Sequence, residues 1–315
     1  MPESKNSVCV VLGGCGFLGS VITRHLVAEG LNVRVFDKEG QDTYRIKPVL
    51  EKIDLQFGDF SNLGDLTRAL NGASTVLHFI GTTIPQTSMN DIKYDVETNV
   101  LPTVRLLEQL KERQSTRIIF ASSGGTVYGA SEPGLPLSEK DPTEPISAYG
   151  ISKLMAEKFI RLFSFNYNLP YVILRFSNPY GPSQHPLRPQ GAVSVFLNKA
   201  LRGEEIAIWG NGAIVRDYLY EDDLAAAVIS IVKRPSLKGI FNVGTGNGTT
   251  LSQVVKLIQT TFGIECRVSY HPERKFDVPY NVLDIKKIGA EAGWKPTFTL
   301  FDGLKEMKNL LDRRS

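Results

Sequence analysis

Little in this 315-residue chain points to a special environment. Its three cysteines, Cys9, Cys15 and Cys266, are scattered, with no C-x-x-C or Cys/His spacing among them. That argues against a disulfide framework and a zinc module, and no metal is expected. No apolar run reaches the roughly 18–20 residues of a membrane-spanning helix. The opening MPESKNS lacks the charged and apolar regions of a signal peptide. The net charge of +3 is too small to argue for a nucleic-acid partner. Repeats and low-complexity linkers are missing as well. What remains is an ordinary globular balance of 42% hydrophobic and 22% charged residues. A cytoplasmic location is expected, with no contact with membrane or nucleic acid. The length suits one large α/β unit or two intimate domains.

What is present is alternation. VCVVLG (8–13), NVRVFD (32–37), LQFGD (55–59), TVLHFIG (75–81), RIIFASS (117–123) and YVILRFS (171–177) read as strands. They are apolar throughout, as strands covered on both faces are. Between them lie segments with apolar residues at three- and four-residue spacing, so parallel strands with right-handed crossovers are expected. After residue 176 the texture changes. NPYGPSQHPLRPQG must be irregular, and helix-like and strand-like pieces then alternate to the end. The reading is α/β: a doubly wound parallel sheet over residues 1–176 and a smaller C-terminal lobe over 177–315. Residues 217–240 are expected to pack back onto the first lobe, and the site to lie between the lobes beyond the strand ends.

The first strand runs into GGCGFLG, which sets Gly13, Gly16 and Gly19 three residues apart. A glycine triplet alone is weak, but here it follows a strand and opens a helix, the context of a Rossmann-type dinucleotide site. Gly13 supplies the turn, Gly16 admits a pyrophosphate, and Gly19 lets helix and strand approach. The helix start presents N–H groups and a positive dipole end to phosphate. Asp37 ends the second strand, 18 residues after Gly19. It reads either as a ribose-binding carboxylate favouring NAD over NADP or as a turn aspartate, and Lys38 beside it weakens the exclusion of NADP. Asp59 ends the third strand, to reach adenine or to cap the next helix.

Tyr149 and Lys153 stand four apart in AYGISK and share a helix face. A phenol of pKa near 10 is a poor base at neutral pH. A neighbouring ammonium and a positive nicotinamide would stabilise the phenolate, which could then take a proton from a sugar hydroxyl as hydride leaves. The same spacing also arises by chance in surface helices.

Taken in order, GGCGFLG, VFD, GDF, HFIG, ETNV, SSGGTVYG, YGISK, LRFSNPYGP, WGNG, RDYLY, FNVGTG, RKFD and GWKP resemble the extended short-chain dehydrogenase/reductases. The likeness is to their NAD-dependent epimerase/dehydratase family, and most to the UDP-hexose 4-epimerases. The resemblance implies NAD as cofactor. It places Gly13, Gly16, Phe17 and Leu18 at the pyrophosphate, Asp37 at the ribose, and Asp59 and Phe60 at adenine. Phe79, Gly81, Asn99 and Phe176 would line the cofactor groove, with Ser122 near nicotinamide. Tyr149 would be the base, with Lys153 on the nicotinamide ribose. Asn178, Arg216 and Arg274 would contact the sugar nucleotide. Plainer readings stay open for two of these, Asn178 as a turn former and Arg274 as a surface charge.

The chain departs from the family at Gly124, where 4-epimerases carry the catalytic Ser or Thr. Ser123 and Thr126 flank it, and Thr126 is favoured if the strand stays extended, because 124 and 126 then share a side. Family dehydratases carry Asp-Glu where this chain has Gly125 and Thr126, so dehydration is not expected. A 4-ketoreductase is the enzymatic alternative, and a non-catalytic regulatory or RNA-binding protein the alternative of another class. Asn281 aligns with the family's sugar-pocket gatekeeper and is expected to leave room for an N-acetyl group, unless a shift of one residue puts Tyr280 there. Apolar residues on the helices near 91–110 and 148–167, including Leu106, Leu107, Leu110, Met155, Phe159 and Leu162, suggest a homodimer.

Overall fold

The computed structural model describes residues 7–113, 115–132, 134–185, 191–274 and 278–313. The first six residues, 186–190 of the Pro- and Gly-rich stretch, and 275–277 of the RKFD motif lie outside the described residues. Strands β1 (Val8–Leu12), β2 (Asn32–Asp37), β3 (Ile53–Phe57), β4 (Ala73–His78), β5 (Arg117–Ser123) and β6 (Tyr171–Phe176) coincide with the six apolar runs. The later strands are β7 (Asn178–Tyr180), β8 (Ile206–Trp209), β9 (Val215–Tyr220), β10 (Gly239–Val243), β11 (Gly248–Thr250), β12 (Val268–His271) and β13 (Tyr280–Asn281). The helices are α1 (Phe17–Ala28), α2 (Leu63–Ala69), α3 (Pro85–Ser88), α4 (Ile92–Asp95), α5 (Leu101–Lys111) and α6 (Ala148–Tyr167). After them come α7 (Ala192–Leu201), α8 (Glu221–Val232), α9 (Leu251–Phe262), α10 (Lys286–Ala292) and α11 (Leu300–Asp312). No helix among the described residues is long and apolar enough to cross a membrane.

Seven strands form one parallel sheet in the order β10-β6-β5-β4-β1-β2-β3. Alternate residues of each strand feed two cores. Cys9, Val11, Val33, Val35, Ile119 and Leu174 pack with α1 and α8. Val8, Val10, Leu12, Phe36, Ile118 and Ile173 pack with α2, α5 and α6. Strands covered on both faces have no solvent side, which is why their sequences are apolar throughout. From the second half of the chain, α8 joins the first core and β10 forms the sheet edge. The smaller lobe centres on β9, flanked by β7, β11 and β13, with a separate β8–β12 pair. Its own core gathers Tyr180, Phe196, Ile206, Tyr218, Val254, Ile258 and Leu304. The strand order reverses between β1 and β4, and a cleft opens at the carboxyl ends of these strands.

Two expectations about helices need correction. The segment 91–110 is not one regular helix: α4 and α5 are separated by a π turn over Val96–Val100, where the Leu101 N–H reaches back to the Val96 carbonyl. Pro102 follows directly and has no N–H to donate, so the regular ladder is already broken there. Leu106, Leu107 and Leu110 are not an outer apolar face either. They are fully buried under the sheet, because α5 turns them inward. The apolar side chains that do face outward on α6 are Ile151, Leu162 and Phe165, the last 86% exposed.

The seat of α6 is set by a buried ion pair. Ser147 caps the helix, accepting from the Gly150 N–H. Ten residues further on, Glu157 meets Arg175 of β6, with Nη2 2.7 Å from Oε2 and Nε 3.0 Å from Oε1. The Ser122 hydroxyl of β5 donates to the same carboxylate at 2.5 Å. Ser122 and Arg175 are register partners in the sheet, so one carboxylate spans two strands. Glu157→Ala strands the Arg175 guanidinium and is expected to cost about 3–5 kcal/mol, read as a lower urea midpoint. Replacing both residues by Met is expected to recover most of that loss. A single variant as stable as the parent would contradict the assignment.

Candidate active site

The glycine turn is built by close contacts. Gly13 has φ +83°, and a Cβ there would lie 3.0 Å from the Ile80 nitrogen. A Cβ on Gly19 would stand 2.1 Å from the Gly13 carbonyl oxygen, so only glycine lets α1 start this near the strand. Gly14, which its spacing did not single out, lies against Val35, where a Cβ would come within 2.7 Å of a methyl carbon. Gly16 is the N-cap of α1 and has no side chain to cap the helix. The N–H groups of Phe17, Leu18 and Gly19 therefore lie in a first turn with no intrahelical acceptor, at the positive end of the helix. Their cradle fits a pyrophosphate.

Asp37 ties this turn to β2. Its Oδ2 accepts from the Cys15 N–H and its Oδ1 from the Lys38 N–H, both at 2.9 Å. Burial raises its pKa, while these two N–H groups act to lower it. Each oxygen keeps a lone pair for a further donor, such as a ribose hydroxyl. Lys38 is exposed and, with Gly16, Phe17, Tyr44 and Arg45, lines a cavity of about 280 Å³. Asp59 does not cap α2; Asn62 does, and Asp59 instead accepts from the Ser61 N–H and hydroxyl. Phe60 is buried 5.0 Å from the His78 ring. Phe79 faces Phe176 at 6.2 Å, and the space beside Gly81 is open.

Tyr149 and Lys153 stand on one side of α6, in a cleft shared with His78, Asp95, Asn99, Phe120 and Ser152. The Lys153 ammonium donates to the Ala121 carbonyl at 2.8 Å and lies 5.7 Å from the centre of the Tyr149 ring. The expected lowering of the phenol pKa by Lys153 is not what the protein alone produces. Burial, and then the Asp95 charge, push Tyr149 up to about 12. Burial pulls Lys153 down to about 8, against the pull of Asp95 and Glu157. His78 is buried and held neutral, its pKa near 3. Asn99, on the π turn, accepts from the Thr82 N–H at 3.0 Å and donates to the Thr82 hydroxyl at 2.9 Å.

β5 stops at Ser123, and the chain does not stay extended. The Thr126 and Val127 N–H groups both fold back onto the Ser123 carbonyl. The alternation that favoured Thr126 therefore does not hold. Its hydroxyl is buried with no protein partner, whereas Ser123 is half-buried. A Cβ on Gly124 would lie 2.6 Å from Leu283, so the missing side chain there makes room for Leu283. The side of Gly125 faces the Asn178 amide and the Ser123 hydroxyl. The Ser122 hydroxyl, expected near nicotinamide, points instead to Glu157.

The smaller lobe closes over this turn. Asn178 donates to the Asp217 carbonyl at 3.0 Å. Arg216 is the register partner of Asn281, and the Arg274 guanidinium lies 4.3 Å above the Trp209 ring. Asn281 does not sit as expected. It is 1% exposed, and its amide nitrogen donates to the Gly124 carbonyl at 3.0 Å. Two carboxylates that sequence reasoning passed over organise the site. Buried Asp217 accepts from the Thr245 N–H and hydroxyl and the Gly246 and Leu283 N–H groups. Buried Asp95 accepts from the hydroxyls of Thr83 and Ser152. A faint signal for Asp95 was its position one helical turn before Asn99.

Residues 9–244 match the NAD dependent epimerase/dehydratase family. A dTDP-4-dehydro-6-deoxyglucose reductase of Escherichia coli is 33% identical over 315 residues, covering 98% of each chain. The UDP-glucose 4-epimerase of Thermotoga maritima, solved with UDP-glucose, superposes with a TM-score of 0.90 at 32% identity, over 98% of this chain and 99% of that one. The Thermus thermophilus UDP-glucose 4-epimerase, solved with NAD, gives 0.88 at 31% identity, over 96% and 98%. Similarity along nearly the whole length accords with the glycine cradle and the Tyr149–Lys153 cleft: this chain is an NAD-dependent enzyme and belongs to the epimerase/dehydratase family.

Proposed function

We propose that the protein interconverts the C4 epimers of a UDP-hexose, UDP-glucose and UDP-galactose, through a transient 4-keto sugar. The observation that carries this reading is the Tyr149–Lys153 pair on one face of α6, in a cleft with Asn99 and Phe120. NAD supplies the acceptor, and later the donor, of the C4 hydride. Tyr149 takes the 4-hydroxyl proton and gives it back, with the half-buried Ser123, rather than the buried Thr126 hydroxyl, offering the second hydroxyl. Lys153, held by the Ala121 carbonyl, keeps a positive charge next to the phenol. Arg274 and Arg216 suit the diphosphate, and Asn178 suits the sugar. In this reading residues 1–176 hold NAD and 177–315 the sugar nucleotide.

The reductase relative supports a second reading, a 4-ketoreductase that exchanges its cofactor at each turnover. Asp37 weighs against NADPH, the more usual cofactor of such enzymes, because a carboxylate at the ribose repels a 2′-phosphate. Isomerisation of UDP-glucose with no added cofactor separates the two: the epimerase turns over, and the reductase does not. The buried Asn281 amide gives no support to an N-acetyl pocket at that position. The outward apolar face of α6, with Leu101 of α5 also exposed, supports a homodimer.

Tyr149→Phe is expected to lower turnover by about 10²-fold or more while NAD stays bound. Near-parental turnover would sink the base assignment. Asn281→Tyr is expected to slow UDP-glucose and UDP-N-acetylglucosamine alike, because the Gly124 carbonyl loses its donor. Selective loss of the N-acetyl sugar would instead restore the pocket reading. Light scattering at micromolar concentration should give twice the chain mass; a monomer would exclude a stable dimer.

A further inference from the structure

We infer that Asp95 is a positioning residue for the Tyr149–Lys153 pair: its buried carboxylate clamps the catalytic turn of α6 to the loop that follows β4. This rests on the proposed role of that pair. Asp95 ends α4 and is fully buried. Oδ2 takes the hydroxyl of Ser152, which lies between Tyr149 and Lys153 on α6. Oδ1 takes the hydroxyl of Thr83 and the amide of Asn99, the latter at 3.2 Å. Asn99 in turn holds Thr82. One side chain thus joins three segments: α6 and the π turn, which line the cleft, and the loop at 82–83 behind them. It accepts from every partner and donates to none, as an ionised carboxylate does. A purely structural site would be served as well by a neutral amide. An anion here also acts on the pair through its charge.

The charged and titratable groups facing the pair are Asp95 from α4, His78 from β4 and Glu157 from α6 itself, with Arg175 of β6 behind Glu157. His78 is neutral, and the Glu157 charge is shared with Arg175. Asp95 is the carboxylate that acts on both members of the pair, favouring the phenol of Tyr149 and the ammonium of Lys153. Removing a negative charge lowers both pKa values. Both limbs of a pH–rate profile then move the same way, to lower pH.

The test compares Asp95→Asn, Ser152→Ala and Tyr149→Phe in the NAD-loaded protein, with UDP-glucose. Asp95→Asn is expected to lower kcat by about ten- to a hundred-fold. It should also shift the whole profile acidward by about one pH unit. Ser152→Ala removes one tie and keeps the charge, so kcat should fall with the profile in place. The cofactor-free protein gives a second readout. Burial holds Lys153 below its ordinary range, so its ammonium destabilises the fold, and Asp95 relieves this. The loss of thermal midpoint in Asp95→Asn should be largest below about pH 7 and shrink as the pH rises through about 8, where Lys153 in the folded protein gives up its proton. An Asp95→Asn profile superimposable on the parent's overturns the inference. Should Asp95→Asn not fold, parental kcat in Ser152→Ala overturns it and a reduced kcat supports it. If the parent itself turns over no sugar, or Tyr149→Phe retains turnover, the proposed function has failed and the inference with it.

Discussion

The Glu157–Arg175 pair sets the height at which α6 lies on the sheet, and the proposed chemistry depends on that height. Glu157 is one helical turn beyond Lys153 and two beyond Tyr149, on the same face. Its carboxylate grips β6 through Arg175 and β5 through Ser122. A slip of α6 by one turn, about 5.4 Å, would carry Lys153 away from the Ala121 carbonyl. An apolar contact surface would tolerate smaller slips, because it has no direction. A bidentate ion pair with a third donor does not. The pair therefore fixes a register, the best-attested use of a buried charge.

The same device recurs along the carboxyl ends of the strands. Asp37 pins the glycine turn to β2, and Asp217 pins the loop at 245–246 and Leu283 to β9. Asp95 pins α6 to the loop after β4. Each buried carboxylate is surrounded by N–H or O–H donors, which offset the cost of taking it out of water. At these points directed hydrogen bonds add to the apolar contacts of the loops, such as those of Val127 and Tyr128 after β5.

The parallel sheet was legible because strands covered on both faces leave unmistakable apolar runs, and the glycine turn because its steric needs admit one residue type. That Tyr149 and Lys153 share one side of α6 was legible by spacing. Glu157 and Asp95 were not. A carboxylate in a helical segment reads as solvated, and only the fold shows what stands opposite it. Gly124 was legible as a departure but not in its cause, since Leu283, which fills the space, lies 159 residues further on. The misjudged leucines of α5 show the same limit. Leu106, Leu107 and Leu110 mark an apolar face, but which neighbour covers that face is a property of the assembled sheet.

The electrostatics of the cleft bear on how acid–base chemistry and hydride transfer are joined. In the protein alone Tyr149 is held near 12 and Lys153 near 8, an order that leaves the phenol protonated at neutral pH. Burial is the largest cause of each shift, and Asp95 adds to the first and opposes the second. A base that must work near neutral pH then needs a positive charge beyond that of Lys153, which neither α6 nor the sheet supplies. Oxidised nicotinamide, when bound, would supply that further charge. On the proposed reading, the proton leaves the sugar only when the hydride has somewhere to go. Asp95 sharpens the coupling. By holding the phenol neutral it suppresses a free phenolate in the cofactor-free cleft, and by favouring the ammonium it keeps Lys153 charged for the moment the proton moves.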